Sequence, residues 1–311
     1  MLKTGPHRRL PAISDATKGA LYMTAAAFFF ALMNALVRMA TADLPPLEVA
    51  FFRNLFAVAS MLPWMLSSGF PAFYTRHFRL HLARAVVGVI AMGFWFTSLA
   101  LVPLADAVAL NFTMPLFIVA GAAIILREKV GLRRWSATAI GFLGMLVIMR
   151  PGIAEVSPVM ALPIVAAIFM AASVLLLKHM SATVRAGTAV LYLNLLMTPL
   201  SLVPAAFVWV WPHGQDYVIL AALGVLATLA HLALARSLAT ADASAIMPFD
   251  YTRLPFIALF AFLLFGEVAE VWTWVGAAII AGSAFYIVRR EAALAKKRDA
   301  MPPIPPVTAD R

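Results

Sequence analysis

Two opposite charges stand three residues apart in the apolar segment MPFDYTRLPF, residues 247–256. A charged side chain near the centre of a membrane-spanning helix costs about 2.5–3.5 kcal/mol, so such groups normally face protein or a water-filled cavity. This spacing places Asp250 and Arg253 on one face of a helix, and Pro248 and Pro255 would bend it and free backbone carbonyls. The pattern predicts a polar substrate site, in which Arg253 binds a carboxylate or similar acceptor and Asp250 binds an amine or a proton.

The alternative for this pair is an internal salt bridge that only holds the helix in place. If the pair binds substrate, other polar or aromatic side chains at membrane depth are candidates to line the same central cavity. These candidates are Tyr251, Asn111, Trp95, His231, Tyr192, Asn194 and Arg53. His231 would either shuttle protons or make a structural hydrogen bond, and Asp250 is the candidate for proton coupling. Arg53 would pair with Glu48, pack between helices or contact the outer mouth.

Four other charges are expected to be structural. Arg38 and Lys178 lie near the ends of predicted helices, where their side chains can extend to the membrane interface. Glu128 and Glu267 also lie at helix ends. None of these four is therefore expected to bind substrate.

The composition requires a membrane. Of 311 residues, 63% are hydrophobic and only 12% are charged, with a mean hydropathy of +0.92. A spanning helix needs about 20 mostly apolar residues, and ten segments satisfy this length. They are 19–41, 46–68, 80–101, 104–126, 132–150, 156–178, 186–210, 215–238, 241–265 and 270–289.

Charged residues between these segments predict the orientation. Most of the 24 basic residues fall on one side when alternate loops are assigned to opposite faces. The other side carries acidic loop residues and Arg150. Because basic loops stay in the cytoplasm, both termini are predicted to be cytoplasmic. The net charge of +10 therefore reflects membrane topology, and nucleic acid is not an expected partner.

The chain repeats itself with an offset of about 140 residues. Residues 105–107 and 241–243 both read ADA, and Gly88 recurs as Gly224 at the same offset. The other matched pairs, at offsets of 139 and 140, are Glu128 with Glu267, Trp135 with Trp274, Arg150 with Arg289, Arg38 with Lys178, and Asn54 with Asn194. Because each copy holds five helices, the second must enter the membrane from the opposite side, an arrangement typical of secondary transporters.

Residues 104–148 and 238–288 resemble the EamA repeat of the drug/metabolite transporter superfamily. The shared features are a proline within the fourth helix, a glutamate at its end, and the F-x-R sequence at Phe51 and Arg53. The resemblance implies ten helices around a central cavity and transport of small polar metabolites. PFDYTRLPF is similar to the branch that includes S-adenosylmethionine and riboflavin carriers.

The predicted fold is therefore an all-α integral membrane protein of two inverted five-helix repeats. The boundaries are a cytoplasmic tail at 1–18, repeats at 19–152 and 153–290, and a disordered cytoplasmic tail at 291–311. Small residues such as GFLG at 141–144 permit close helix contact, and a homodimer stays open as a partner alongside the lipid bilayer.

The predicted function is secondary transport of a small polar metabolite, such as an amino-acid derivative, an S-adenosylmethionine-like or a riboflavin-like molecule, across the inner (plasma) membrane by alternating access. No P-loop is present to support ATP drive. A channel or receptor is the alternative. An integral-membrane enzyme is less favoured, because the chain has no cysteine, no second histidine near His231 and no G-x-S-x-G sequence. No metal and no cofactor are expected.

Overall fold

The computed structural model describes residues 15–68, 75, 77–124, 132–149, 157–180, 184, 186–240 and 247–299, and these residues form helices joined by short turns, with no strand among them. We number the α-helices α1 to α11. They are α1 Asp15–Ala40, α2 Pro46–Ser68, α3 Phe78–Leu101, α4 Leu104–Asn111, α5 Met114–Ile124, α6 Leu132–Met149, α7 Leu162–Met180, α8 Ala186–Ala206, α9 Gly214–Thr240, α10 Arg253–Phe265 and α11 Val271–Asp299. Short 3-10 helices at Pro158–Ala161 and Met247–Thr252 precede α7 and α10.

Helix occupies each of the ten predicted segments, but the fourth and ninth segments are interrupted. The fourth is divided into α4 and α5 by a turn at residues 112–113, and the ninth changes from 3-10 to α-helix at Arg253. Pro115 and Pro255 lie just after these two changes, 140 residues apart. Because proline lacks an N–H and clashes with the preceding turn, it favours an interruption at this position in both copies.

Five helical stretches in the described part of the chain are long and apolar enough to cross a membrane. They are residues 17–40, 78–101, 158–177, 187–206 and 214–237. Four shorter apolar helices, at 104–118, 139–148, 253–265 and 271–283, accompany them. The chain is a multi-pass membrane protein; ten crossings with both termini in the cytoplasm remain a prediction.

Helix packing follows a two-fold pattern when the two copies are exchanged. The contact of α1 with α9 is matched by the contact of α7 with α3, and the contact of α2 with α9 is matched by that of α8 with α3. Likewise α1 packs against α10 as α7 packs against α5. The remaining large contacts, α2 with α8 and α6 with α11, join equivalent helices. Each copy therefore packs mainly against the other rather than against itself.

The glycines of α6 and α11 bring these two helices together within one chain. A Cβ atom added to Gly144 would lie 2.9 Å from the carbonyl oxygen of Gly276, and one added to Gly276 would lie 2.6 Å from the carbonyl oxygen of Gly144. Small residues therefore permit direct backbone contact here. These two glycines serve an internal interface, while the homodimer stays a prediction.

The helical region extends further at both ends than predicted. Helix α1 begins at Asp15, inside the predicted 1–18 tail, and α11 continues to Asp299. The prediction of disorder is therefore wrong for residues 291–299, where the charged sequence EAALAKKRD prolongs the last helix. Alanine, leucine, lysine and glutamate are strong helix formers, which accounts for this extension. Residues 1–14 and 300–311 lie outside the described part of the chain.

Candidate functional site

The predicted charged pair lies where the 3-10 helix Met247–Thr252 meets α10. Arg253 Nη2 donates a hydrogen bond to Asp250 Oδ1 over 2.5 Å, and the two side chains are 19% and 24% exposed. In a 3-10 helix residues i and i+3 lie directly above one another, so the local geometry holds these groups together. The guanidinium carbon lies 4.8 Å from the ring centroid of Phe30 on α1. The pair therefore faces protein.

Phe30 also joins His231 to this pair. The His231 ring meets the Phe30 ring edge-on, with centroids 5.2 Å apart, and His231 Nδ1 lies 2.7 Å from the carbonyl oxygen of Ala227. Phe30 thus contacts side chains from α9 and α10 at once. Phe30 is not among the predicted site residues, because it is one of three consecutive phenylalanines at residues 28–30 in an apolar helix.

One helical turn beyond Phe30, Asn34 brings Trp95 to the same side of α1. The indole N–H of Trp95 donates to Asn34 Oδ1 over 3.4 Å, and both side chains are buried. This bond is longer than the usual 2.7–3.2 Å range of protein N–H···O bonds. Asn34 is likewise absent from the predicted site, although an amide inside an otherwise apolar span is a signal that could have indicated it.

Asn111 lies in the segment of the first copy that corresponds to the charged pair of the second. It ends α4, and its side-chain amide donates to the carbonyl oxygen of Pro163 over 3.3 Å and lies 3.6 Å from the sulfur of Met170. At the offset of 140 that aligns Pro115 with Pro255, Asn111 corresponds to Tyr251, next to Asp250, and Met170 corresponds to Phe30. Both arrangements join the two copies: the amide of Asn111 in the first copy lies beside the thioether of Met170 in the second, whereas the charged pair of the second copy lies near the Phe30 ring of the first.

Arg53 and Asn194 form a separate buried network between α2 and α8. Arg53 is 3% exposed, and its Nη1 donates to Asn54 Oδ1 over 2.8 Å and to Asn194 Oδ1 over 3.2 Å. Glu48, the expected partner of Arg53, instead accepts a hydrogen bond from the backbone N–H of Val210 over 2.9 Å. The two residues are five apart, more than one helical turn, so they diverge on α2.

Tyr192 also lies apart from the charged pair. Its ring stacks on that of His81, with centroids 4.7 Å apart, near the beginnings of α3 and α8. Tyr251 lies in the described 3-10 helix, but its side chain is outside the described part of the structure. The candidates that the structure brings together are thus Asp250, Arg253 and His231, joined through Phe30, with Trp95 next to them through Asn34.

A cavity of about 360 Å³ lies between α2, α3 and α8, away from the charged pair. Its lining is largely apolar and includes Ala50, Met92, Phe94 and Ser201. Ser201 Oγ accepts a hydrogen bond from Asn54 over 3.2 Å, which links the cavity to the Arg53 network. No predicted site residue lines this cavity.

The described residues contain no group of three histidine, aspartate or glutamate side chains arranged to hold a metal ion. Several polar groups of the site instead pair with one another or with backbone carbonyls. This donor set suits hydrogen bonding to an organic molecule rather than coordination of a cation.

Arg38 and Glu267 form an ion pair between the two copies, at the end of α1 that is predicted to face outward. Arg38 Nη2 donates to Glu267, Arg38 Nη1 donates to the carbonyl oxygen of Val102 over 2.8 Å, and Glu267 accepts from the backbone N–H of Leu104 over 3.1 Å. The guanidinium also lies 5.1 Å from the Phe265 ring centroid. The prediction that Arg38 simply extends to the interface is therefore wrong, whereas Glu267 has the contacts of a structural residue.

We expect Glu267→Gln to lower the free energy of unfolding by about 1–3 kcal/mol, because it leaves the partly buried Arg38 without its counter-charge. The measurement is thermal unfolding of the purified protein, in a double-mutant cycle with Arg38→Met. Residues in one ion pair show a coupling energy in such a cycle. Additive effects of the two substitutions would contradict the pairing, and Asp43→Asn, at an exposed acid, is the control.

Comparison with known proteins gives consistent results. The model of the EamA-like transporter family matches residues 17–150 and 157–289. A protein of Vibrio cholerae named riboflavin transporter is 38% identical over 279 residues, covering 88% of this chain and 94% of that protein. A protein of the same name from Rhizobium johnstonii is 35% identical over 89% of this chain and 93% of its own length.

More distant similarities extend the comparison. An S-adenosylmethionine uptake transporter of Rickettsia felis is 28% identical, covering 78% of this chain and 83% of its own. A protein of known crystal structure, 18% identical, superimposes with a TM-score of 0.62 over 91% of this chain and 99% of its own. That superposition concerns the fold alone.

Proposed function

Because the chain belongs to the EamA-like transporter family, we propose that it is a secondary transporter that carries riboflavin, or a closely related flavin, across the inner membrane. It is a small-metabolite transporter, and its family and curated relatives are transporters rather than enzymes. The observation that carries the substrate assignment is the similarity, across nearly the whole chain, to two proteins named riboflavin transporter.

The charge of the candidate site supports a neutral substrate. Arg253 and Asp250 neutralise each other through their hydrogen bond, so a neutral molecule can bind without leaving a buried charge unpaired. Riboflavin is neutral at pH 7, and its flat ring system offers carbonyl acceptors and an N–H donor. A guanidinium and a carboxylate side by side offer the complementary donors and acceptor.

S-adenosylmethionine fits this site less well. It carries a sulfonium and an ammonium group in addition to its carboxylate, so it would need excess negative charge around it. The site instead contains one carboxylate, Asp250, beside the guanidinium of Arg253, with the His231 ring also in contact with Phe30. We therefore propose a flavin as the substrate, and S-adenosylmethionine is the competing candidate to be tested.

Transport in this proposal proceeds by alternating access between two inverted repeats, residues 19–152 and 153–290. The two-fold pattern of helix contacts supports this view, because exchange of conformation between equivalent copies converts an outward-open state into an inward-open one. The interruptions at residues 112–113 and at Met247–Thr252 lie at equivalent places in the two copies. Asp250 is the proposed proton-coupling group. The other residues proposed to line the central cavity are Arg253, Tyr251, Asn111, Trp95, His231, Tyr192, Asn194 and Arg53.

The test is uptake of radiolabelled riboflavin into proteoliposomes that contain the purified protein, with and without a pH gradient. We expect saturable uptake that excess unlabelled riboflavin abolishes and excess S-adenosylmethionine leaves nearly unchanged. Protein-free liposomes are the control. Uptake that S-adenosylmethionine inhibits and riboflavin does not would overturn the substrate assignment, and non-saturable flux would favour a channel.

A further inference from the structure

Phe30 is the side chain at which the polar groups of the candidate site converge. The Arg253 guanidinium lies over its ring at 4.8 Å from the centroid, and the His231 ring makes a T-shaped contact with it at 5.2 Å, with an angle of 79° between the two planes. These three residues come from three different helices. Phe30 packs against the core yet is only partly buried, so apolar neighbours do not enclose its ring.

The guanidinium of Arg253 is only partly used in this position. Its Nη2 is bonded to Asp250, whereas Nε is buried and has no hydrogen-bond partner within the described residues. An unpartnered buried donor is costly to leave unsatisfied. A ligand that places a hydrogen-bond acceptor beside Nε would therefore satisfy this donor.

The nature of the present contact indicates the shape of that ligand. A guanidinium is planar and delocalised, and stacks on aromatic faces. It occupies the space above the Phe30 ring where a flat heteroaromatic ring would also stack favourably. One turn further along α1, the Trp95 indole N–H donates to Asn34 Oδ1 over 3.4 Å, so a second aromatic side chain lies on the same side of α1.

We propose that Phe30 is the aromatic platform on which the flat ring of the substrate stacks, while Arg253 moves off the platform and donates hydrogen bonds to ring carbonyls. This inference rests on the proposed function and adds a specificity-determining residue to it. The part of the substrate that is recognised is the tricyclic ring, and the hydroxylated chain is secondary. No covalent bond changes in this step.

The repeat-related arrangement cannot supply an equivalent platform. Met170 of the second copy stands at the position that corresponds to Phe30, and the amide of Asn111 in the first copy lies beside it. A thioether and an amide neither form a cation–π contact nor present a flat aromatic face. The ring of the substrate is therefore held between α1 of the first copy and α10 of the second.

The test compares Phe30→Leu with Phe28→Leu in riboflavin binding to the purified protein, followed by flavin fluorescence. Phe28 lies two residues away and packs its ring against Phe256 of α10, with centroids 5.4 Å apart. Phe28→Leu therefore removes a comparable aromatic contact but leaves the Phe30 platform in place. We expect Phe30→Leu to raise the dissociation constant by about tenfold, as expected for the loss of one aromatic stacking contact. Phe28→Leu should bind like the parent protein.

A second pair of variants gives a readout that a merely structural role does not produce. Because indole quenches flavin fluorescence on stacking, Phe30→Trp should bind riboflavin with deeper quenching than the parent protein, and Phe28→Trp should not. Lumichrome, the flat ring without the ribityl chain, should compete with riboflavin in the parent protein and lose most of that competition in Phe30→Leu. Ribitol should not compete.

The possible outcomes distinguish failure of the platform proposal from failure of the proposed function. Parent-like affinity in Phe30→Leu, together with no added quenching in Phe30→Trp, would overturn the platform while riboflavin transport stands. Competition by ribitol rather than lumichrome would also overturn it. Failure of the parent protein to bind or transport riboflavin would overturn the proposed function and the platform together.

Discussion

Arg253→Ala is expected to reduce riboflavin uptake by at least about a hundredfold, with the protein still present in the membrane. The substitution removes the donor proposed to bind the substrate and leaves Asp250 without its partner inside the protein. Breaking a buried ion pair by removing one member typically costs about 3–5 kcal/mol, and a loss of about 3 kcal/mol in the binding step corresponds to more than a hundredfold. Uptake into proteoliposomes at matched protein content is the measurement.

Two further variants test the role of the charged pair and provide a control. Asp250→Asn keeps the shape of the acceptor but removes its charge, so it should abolish uptake that depends on a pH gradient. Arg236→Ala removes an arginine from an exposed position near the end of α9 and should leave uptake unchanged. Parent-level uptake in Arg253→Ala or in Asp250→Asn would remove that residue from the site and favour the internal salt bridge as its role.

Gly224→Ala is expected to prevent correct assembly of the protein, although it adds only one methyl group. A Cβ atom at this position would lie 2.4 Å from Cβ of Phe56 and 2.5 Å from its backbone carbonyl carbon. Overpacking normally costs about 1–3 kcal/mol, but here backbone atoms of α2 would have to move, so we expect a larger loss. The measurement is the monodisperse yield and melting temperature in detergent.

The repeat supplies the matched control for this substitution. Gly88 is equivalent to Gly224, but a Cβ atom there would meet the flexible side chain of Met197, with its sulfur at 3.1 Å. Gly88→Ala should therefore be tolerated at a small cost, and Gly282→Ala, which faces open space, at none. Equal melting temperatures for Gly224→Ala and Gly88→Ala would show that the α2–α9 backbone contact is looser than described.

The sequence was sufficient to place the helices, because apolar length and proline are local signals. Ten segments and the prolines Pro115 and Pro255 predict where helix forms and where it is interrupted, and the helical boundaries agree within a few residues at most ends. Local signals failed where the helix continues beyond the apolar region. In α11 helix-forming charged residues carry it to Asp299, and hydropathy gives no indication of such an extension.

The composition of the candidate site was only partly predictable, because hydropathy reports depth in the membrane but not which way a side chain points. Asp250 and Arg253 were recognisable by their charge. Phe30 resembles its neighbours Phe28 and Phe29 in every local property, and only the contact with Arg253 distinguishes it. Its importance depends on a residue more than 200 positions away in the sequence, which no window along the chain can reveal.

The observed partners of several charged residues are also distant in the sequence, and the predicted pairing of Glu48 with Arg53 was incorrect. Arg38 and Glu267 meet across the two copies, and Glu48 binds the backbone of Val210 rather than the nearby Arg53. Proximity along the chain favoured the wrong partner for Glu48, since five residues place two side chains on different faces of a helix.

The position of Arg53 bears on how such a protein can have arisen. Asn54 and Asn194 are equivalent residues of the two copies, and both accept a hydrogen bond from Nη1 of this one arginine, whose own counterpart is Leu193. A symmetric pair of identical subunits would bring either two guanidinium groups or none to that point, and two like charges would repel strongly away from water. Duplication and fusion into a single polypeptide allow one cation to be kept and its twin to be lost, so from that substitution onward neither half can replace the other.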